Sequence, residues 1–161
     1  MASVFARLAR HSTPWCRPGH RLLHVGSEAS ETKTFGTEAV QSFVSLTGDA
    51  NPIHTDKQAA LASGFAAPIL PGILVASLFP AIIGSSFPGT VYLSQSLRFR
   101  APALVDQAVT ATVTVRRVSG RRVTFATAAV LRDSGVVVVD GEALALLPER
   151  GQEGRPAEPA S

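Results

Sequence analysis

Cysteine and histidine are scarce in this chain, and their positions exclude several kinds of site. The 161 residues contain one cysteine, Cys16, so no disulfide can form within the chain. Three of the four histidines lie in the first 24 residues, which leaves only His54 further along. Zinc sites are built mainly from cysteine and histidine, so one histidine with scattered carboxylates is a poor ligand set. We therefore expect no metal site, and no cysteine nucleophile outside the N-terminal segment.

Acidic residues are absent from the first 27 positions, which nevertheless contain four arginines. The rest of the chain carries 11 Lys and Arg against 12 Asp and Glu, so the formal charge of +3 belongs to the N-terminal segment. That charge does not indicate a nucleic-acid partner. An acid-free segment that mixes apolar residues with Arg and Ser is typical of mitochondrial presequences. We predict that residues 1–27 are a presequence and that the protein is located in the mitochondrial matrix; a basic tail without a targeting role is the alternative.

Hydrophobic runs long enough to cross a membrane are also missing. The most apolar stretch, residues 68–87, contains three prolines and two glycines. The part from Gly72 to Gly84 has the length of a buried core helix and is shorter than the roughly 20 residues of a membrane span. We predict no membrane span, and a central apolar helix from about Ile73 to Ile83.

Two shorter helices are predicted before this central helix. Apolar residues between positions 38 and 46 recur at near-helical spacing after Thr37, a residue type that caps helices. Gly48 is expected to end this helix. A second, short helix is expected to be capped by Thr55 or Asp56.

The turn between these two helices carries the residues most suited to chemistry. Pro52 stiffens a turn that holds Asp49 and His54. An imidazole can accept and donate a proton near neutral pH, so this pair is suited to acid–base catalysis. Taken alone, an Asp-x-Asn-Pro turn is more often only a helix stop. The central helix is predicted to begin just after Gly72, and its unpaired N–H groups favour partial negative charge such as a carbonyl oxygen.

The second half of the chain has the pattern of strands. β-branched runs separated by turn residues predict four consecutive strands, at Thr90–Phe99, Ala108–Val118, Val123–Leu131 and Val136–Leu147. Helices followed by strands indicate an α+β fold in which an antiparallel sheet wraps around the central helix. We predict one folded domain at residues 28–148. Residues 149–161, rich in Gly, Pro, Glu and Ala, are predicted to be a disordered tail.

Three motifs, in this order, resemble those of a known family. They are Asp49-Ala50-Asn51-Pro52-Ile53-His54, then Pro71-Gly72-Ile73-Leu74-Val75-Ala76-Ser77-Leu78, and Tyr92-Leu93-Ser94-Gln95-Ser96-Leu97-Arg98-Phe99. Together the motifs are similar to the MaoC-like, (R)-specific hydratase 2 family of hot-dog proteins. The resemblance implies a hot-dog fold, a long helix wrapped by an antiparallel sheet, and a homodimer with active sites near the subunit interface.

The resemblance also implies an activity and its residues. The family members are hydro-lyases that reversibly hydrate trans-2-enoyl thioesters, which here implies a (3R)-hydroxyacyl-thioester dehydratase of mitochondrial fatty acid synthesis. Its substrate would be an acyl thioester on acyl carrier protein or coenzyme A, and no cofactor is expected. Asp49 and His54 match the catalytic pair, and the N–H of Gly72 matches the group that binds the thioester oxygen. Pro71 stands where many relatives have histidine.

Several assignments stay open at the level of sequence. Either Asp49 or His54 could take the C2 proton, and Asn51 could bind the substrate or the loop backbone. Other hot-dog proteins are thioesterases, and an acyl-binding module without catalysis is a further alternative. Four arginines flank a predicted hairpin turn and could bind the phosphates of coenzyme A or an acidic carrier protein. These are Arg116, Arg117, Arg121 and Arg122.

Overall fold

A computed structural model describes residues 23–149 of the chain. Most of the predicted presequence and the predicted tail lie outside these residues. The strands are β1 (Glu28–Thr34), β2 (Val91–Phe99), β3 (Ala108–Ser119), β4 (Arg122–Leu131) and β5 (Val137–Leu146). The helices are α1 (Thr37–Thr47), α2 (Lys57–Ala62), α3 (Gly72–Ala76) and α4 (Leu78–Ser86), with a 3-10 turn at Pro52–His54.

One antiparallel sheet contains all five strands, in the order β1-β3-β4-β5-β2. The four predicted strands are confirmed to within one residue. The alternation is clearest in β3, where the apolar residues from Val109 to Val115 are buried and the threonines between them are partly exposed. Strand β1 was not predicted from the sequence. Only Ala29 of its seven residues is buried, so it lacks the apolar alternation by which strands are recognised.

The predicted central helix is present, but it is interrupted at Ser77. Pro80 accounts for this break, since its ring crowds the carbonyl of Ala76 and it has no N–H to bond to that oxygen. The hydroxyl of Ser77 donates to the carbonyl of Leu74 at 2.7 Å. Despite the break, α3 and α4 present one apolar face to the sheet, on which Val75, Phe79 and Ile83 are fully buried.

Helix α1 begins one residue earlier than a Thr37 cap requires. Gly36 is its N-cap residue and Thr37 is already helical, so no side chain caps the helix. Gly48 ends α1 as predicted, with a φ of 75°, a conformation that glycine adopts without strain. Asp56 caps α2 as predicted, since its Oδ1 accepts from the N–H of Ala59 at 2.9 Å.

Strand β2, at one edge of the sheet, lies unusually close to its neighbour β5. Strand β2 pairs with β5 through a bulge at Leu93. At Gly141 of β5 a Cβ atom would lie 1.8 Å from the carbonyl oxygen of Ser96, so only glycine allows this pairing.

Within residues 23–149, no helix is long and apolar enough to cross a membrane.

Candidate active site

His54 is held in one orientation by the chain that leads into α3. Its side chain is buried, and its Nδ1 lies 2.8 Å from the carbonyl oxygen of Ile69. A carbonyl can only accept, so Nδ1 carries the proton and, in neutral imidazole, Nε2 is free to take one. The backbone of the same turn is fixed to this segment, because the N–H of Ile69 donates to the carbonyl of Ile53 at 3.1 Å.

Asp49 faces the free nitrogen of this histidine. Its Oδ2 lies 3.7 Å from Nε2 of His54, and its side chain is 41% exposed. Its other oxygen, Oδ1, accepts from the backbone N–H of Asn51 at 3.2 Å, which fixes the carboxylate in the loop. The Nε2 to Oδ2 distance is too long for a direct hydrogen bond, so lone pairs on both atoms remain available to a substrate.

Asn51 shapes the turn that carries the pair. Its side-chain oxygen accepts from the N–H of Ile53 at 3.3 Å and so caps the 3-10 turn. The sequence left open whether Asn51 binds the substrate or the loop backbone, and the contact seen in the structure is the one with the loop backbone.

Gly72, the first residue of α3, follows the segment that fixes His54. Residues 68–71 are bonded on one side to the His54 turn and on the other to residues 103–105, where the N–H of Leu70 donates to the carbonyl of Ala103 at 2.8 Å. Hence Asp49, His54 and Gly72, three of the predicted site residues, belong to one hydrogen-bonded unit. The N–H of Gly72 is in the first turn of α3 and has no acceptor within the helix.

Comparison with known proteins assigns the family. Residues 20–136 match the MaoC like domain. The chain belongs to the MaoC-like family. It is 38% identical over 130 residues to the mitochondrial 3-hydroxyacyl-acyl-carrier-protein dehydratase of Solanum lycopersicum, covering 79% of each chain. It is also 38% identical to the (R)-specific enoyl-CoA hydratase of Aeromonas caviae, covering 78% of this chain and 96% of the relative.

A solved structure supports the same assignment. The (R)-hydratase of A. caviae involved in PHA biosynthesis has a TM-score of 0.76 and 37% identity to the chain. The alignment covers 80% of this chain and the whole of the other. The predicted α+β hot-dog fold is therefore confirmed, as is the resemblance drawn from the three motifs.

The ring of Phe99, a residue to which the sequence assigned no role, packs against Gly72 of this MaoC-like site. A Cβ atom at position 72 would lie 2.5 Å from Cε1 and 2.7 Å from Cδ1 of Phe99. Any larger residue here would force the ring of Phe99 to shift, so glycine allows the ring to pack against the start of α3. The sequence shows Phe99 only as the last residue of a strand, and no periodicity could place it over a helix 27 residues earlier.

Three polar side chains on the helix-facing side of the sheet form a hydrogen-bonded group that the sequence did not predict. The hydroxyl of Tyr92 donates to Oε1 of Gln95, and Nε2 of Gln95 donates to Oγ1 of the buried Thr127 at 3.2 Å. Burial raises the pKa of Tyr92 to about 12, so the hydroxyl keeps its proton at neutral pH. Gln95 thus links β2 to β4 across β5.

The arginine cluster lies at the other end of the sheet from Gly72. Arg122 is paired with Leu146, which is in turn paired with Val91, whereas Gly72 contacts Phe99. Val91 and Phe99 are eight residues apart, roughly 26 Å along the strand. Arg121 bonds Glu149 at 2.9 Å, whereas the other three arginines have no ion pair among residues 23–149. Within one chain, the cluster does not adjoin the Asp49–His54 pair.

Metal ligation was not expected from the sequence. In the part of the chain that the structure describes, no three His, Cys, Asp or Glu side chains are grouped closely enough to hold a metal ion.

Proposed function

We propose that this chain is a (3R)-hydroxyacyl-thioester dehydratase, a hydro-lyase that also catalyses the reverse hydration of trans-2-enoyl thioesters. The observation that carries the proposal is the fixed pair of proton acceptors, Nε2 of His54 and Oδ2 of Asp49, 3.7 Å apart beside the helix that begins at Gly72. Two relatives support the same chemistry, since one is a 3-hydroxyacyl-acyl-carrier-protein dehydratase and the other is an (R)-specific enoyl-CoA hydratase.

The reaction breaks the C2–H and C3–O bonds, forms a C2–C3 double bond and releases water. Negative charge develops on the thioester oxygen as the C2 proton leaves, and we assign the N–H of Gly72 to stabilise that oxygen. One such donor contributes about 3 kcal/mol in other enzymes. A side chain at position 72 would meet Phe99, so glycine keeps this backbone accessible without displacing the ring.

One proton is sufficient for the whole reaction. With Nδ1 bonded to Ile69 and Asp49 ionised, neither atom that faces the substrate carries a proton at the start. The proton removed from C2 by one member of the pair can therefore be delivered to the departing C3 hydroxyl, which leaves as water. The pair returns to its starting state, and no cofactor enters the balance.

The cellular setting is a further part of the proposal. We place the reaction in fatty acid synthesis in the mitochondrial matrix, with acyl carrier protein as the natural carrier and coenzyme A thioesters as usable substrates. The acid-free residues 1–27 support this location, as does the similarity to the dehydratase of S. lycopersicum, which is mitochondrial.

We also propose a homodimer that forms along strand β2. This strand is at the edge of the sheet, so the backbone N–H and C=O groups on its outer side have no neighbouring strand. Its exposed apolar residues form a hydrophobic surface beside these groups. A two-fold axis would let the same strand of a second copy pair with it. Because Phe99 is part of β2, the candidate site would then lie next to the subunit interface.

The test is hydration of crotonyl-CoA by the wild type, His54→Ala and Asp49→Ala, followed by loss of the enoyl absorbance. A positioned acid or base contributes about a hundred- to ten-thousand-fold in rate, so we expect each variant to lose at least a hundredfold in kcat. Glu31→Ala is the matched control, since it removes an exposed carboxylate from β1, at the opposite edge of the sheet from Phe99. It should keep wild-type activity.

Three outcomes would contradict the proposal. Release of free thiol without loss of the enoyl group would indicate a thioesterase. Full activity in both site variants would remove Asp49 and His54 from the mechanism. A wild type that is inactive on crotonyl-CoA and on the corresponding carrier-protein thioester, yet binds either of them, would indicate an acyl-binding module.

A further inference from the structure

Phe99 combines two properties that rarely occur together in a side chain of this size. It is 55% exposed, yet one edge of its ring is in close contact with Gly72. An aromatic ring has a large apolar surface, and its place beside Gly72 makes that surface available to an apolar part of a substrate. The atoms that crowd position 72 are Cδ1, Cε1 and Cζ, which form one side of the ring. Since 55% of Phe99 is exposed, part of the ring is accessible to another group.

The position of the ring is fixed by its neighbours in the chain. Phe99 pairs with Val139, and the next residue, Arg100, bonds Asp140 through Nε at 3.0 Å and Nη2 at 3.3 Å. Four residues after Phe99, Ala103 accepts the hydrogen bond from Leu70, two residues before Gly72. The strand that carries the ring is therefore fixed to β5, and the chain that follows it is bonded to the segment that leads into Gly72.

We propose that Phe99 is a positioning residue of the thioester subsite, where its exposed ring surface packs against the acyl thioester and keeps water from the oxygen bound at Gly72. The proposal rests on the proposed function. A donor in a water-excluded site stabilises developing negative charge more strongly than the same donor in water, because bulk water screens the interaction. The ring thus acts through the N–H of Gly72 and takes no part in proton transfer.

The test compares Phe99→Ala with Phe99→Leu in crotonyl-CoA hydration. We expect Phe99→Ala to lower kcat by about tenfold or more, with a smaller change in KM, because the interaction strengthens as charge develops. Phe99→Leu keeps an apolar group over Gly72 and should recover kcat to within about threefold of the wild type. Val118→Ala is the control, since Val118 is an exposed apolar strand residue at the far end of the sheet.

A double variant tests the contact itself. In Gly72→Ala the new methyl group takes the space of the ring edge, so the side chain of Phe99 must turn away. Removing the ring should then have little further effect, and Gly72→Ala/Phe99→Ala should have a kcat within about twofold of Gly72→Ala. Additive losses would show that the two residues act independently and would overturn the proposal.

Other outcomes also decide the question. A kcat for Phe99→Ala within twofold of the Val118→Ala value would overturn the proposal, as would a change confined to KM. Dissociation of the protein in sedimentation, in step with lost activity, would show that the ring acts through subunit association. His54→Ala measured in parallel separates these results from failure of the proposed function: if it is as active as the wild type, the dehydratase mechanism itself is wrong.

Discussion

The two edge strands of the sheet are opposites in composition. Strand β1 carries Glu28, Glu31 and Lys33, and all of its side chains except Ala29 are at least partly exposed. Strand β2 is also largely exposed, but Val91, Leu93 and Phe99 account for much of its surface. Charged residues on an edge strand prevent pairing with another chain, whereas apolar residues permit it. The β1 edge is therefore protected, and the β2 edge is suited to contact with a substrate or a second copy.

The candidate site lies on the side of the molecule where the edge is unprotected. Phe99 of β2 touches Gly72, and residues 103–105, which follow β2, hold the segment that orients His54. Strand β1 has no such contact with the site; it pairs with β3 along its whole length. Changes to β2 should consequently affect activity and assembly, and changes to β1 should affect stability alone.

Among the substitutions that test this difference between β1 and β2, Gly141→Ala is expected to have the largest effect on stability. The new Cβ would lie 1.8 Å from the carbonyl oxygen of Ser96, a backbone atom that cannot move unless β2 moves as a whole. We expect a loss of about 3 kcal/mol in the free energy of unfolding, at the upper end of overpacking effects. Activity should fall with it, since β2 carries Phe99. Chemical denaturation and crotonyl-CoA hydration measure the two effects.

Gly84→Ala is the matched control for that substitution. Gly84 lies in α4, has an ordinary helical conformation, and has no atom within 4 Å of an added Cβ. Alanine there should raise the free energy of unfolding by about 0.5–1 kcal/mol. A Gly141→Ala variant as stable as the wild type would mean that β2 can shift on β5 without cost.

Charges on the β2 edge should break the proposed dimer. Val91→Glu/Leu93→Glu removes two exposed apolar side chains and places like charges where two copies would meet. We expect the mass in sedimentation to fall to that of one chain, and activity to fall by about tenfold. Ser30→Glu adds a charge to the β1 edge and should change neither quantity. An unchanged mass in the β2 variant would place the interface elsewhere.

These contrasts also explain how far the sequence could predict the structure. The strands β2 to β5, the Asp49–His54 turn and the start of the central helix follow from local patterns, since each depends on neighbouring residues. Strand β1 was missed because its pairing depends on β3, about 80 residues further along. The contact of Phe99 with Gly72 could not be predicted for the same reason, although both residues belong to recognisable motifs.

A smaller effect on stability is expected when the residues just before β1 are removed. Leu23 packs against the core, and two hydrogen bonds join Gly26 and Ser27 to Val115, at 2.9 and 2.8 Å. Removing residues 1–27 therefore takes away contacts that removing residues 1–22 retains. We expect the shorter protein to be less stable by about 2 kcal/mol, from partial burial of one leucine and two hydrogen bonds. Denaturation of both proteins tests this, and equal stability would support the predicted boundary at residue 28.

Activity provides the control for the same pair of proteins. Because these contacts lie along β3, away from Gly72, both truncated proteins should have the same kcat at a temperature where both are folded. A kcat lowered only in the shorter protein would link the β1 side of the sheet to the site, contrary to the separation of the two edges.

The smallest expected effect at neutral pH concerns Tyr92 on the helix-facing side of β2. It is the only tyrosine, so its ionisation can be followed directly by ultraviolet absorbance. Burial raises its pKa from 10.0 to about 12. Above pH 10 the unfolded chain loses this proton while the folded chain retains it, so the stability contributed by Tyr92 is complete below pH 10 and is lost as pH rises towards 12.

The matched variant for this titration is Tyr92→Phe, which keeps the ring and removes the ionising group. Its stability should fall less than that of the wild type between pH 10 and 12. Gln95→Ala removes the acceptor of the Tyr92 hydroxyl and should lower the pKa, since a hydrogen bond donated by the neutral form stabilises that form. An ordinary tyrosine titration in the wild type would mean that water reaches Tyr92 freely, and that the helix-facing side of β2 is as open as its edge.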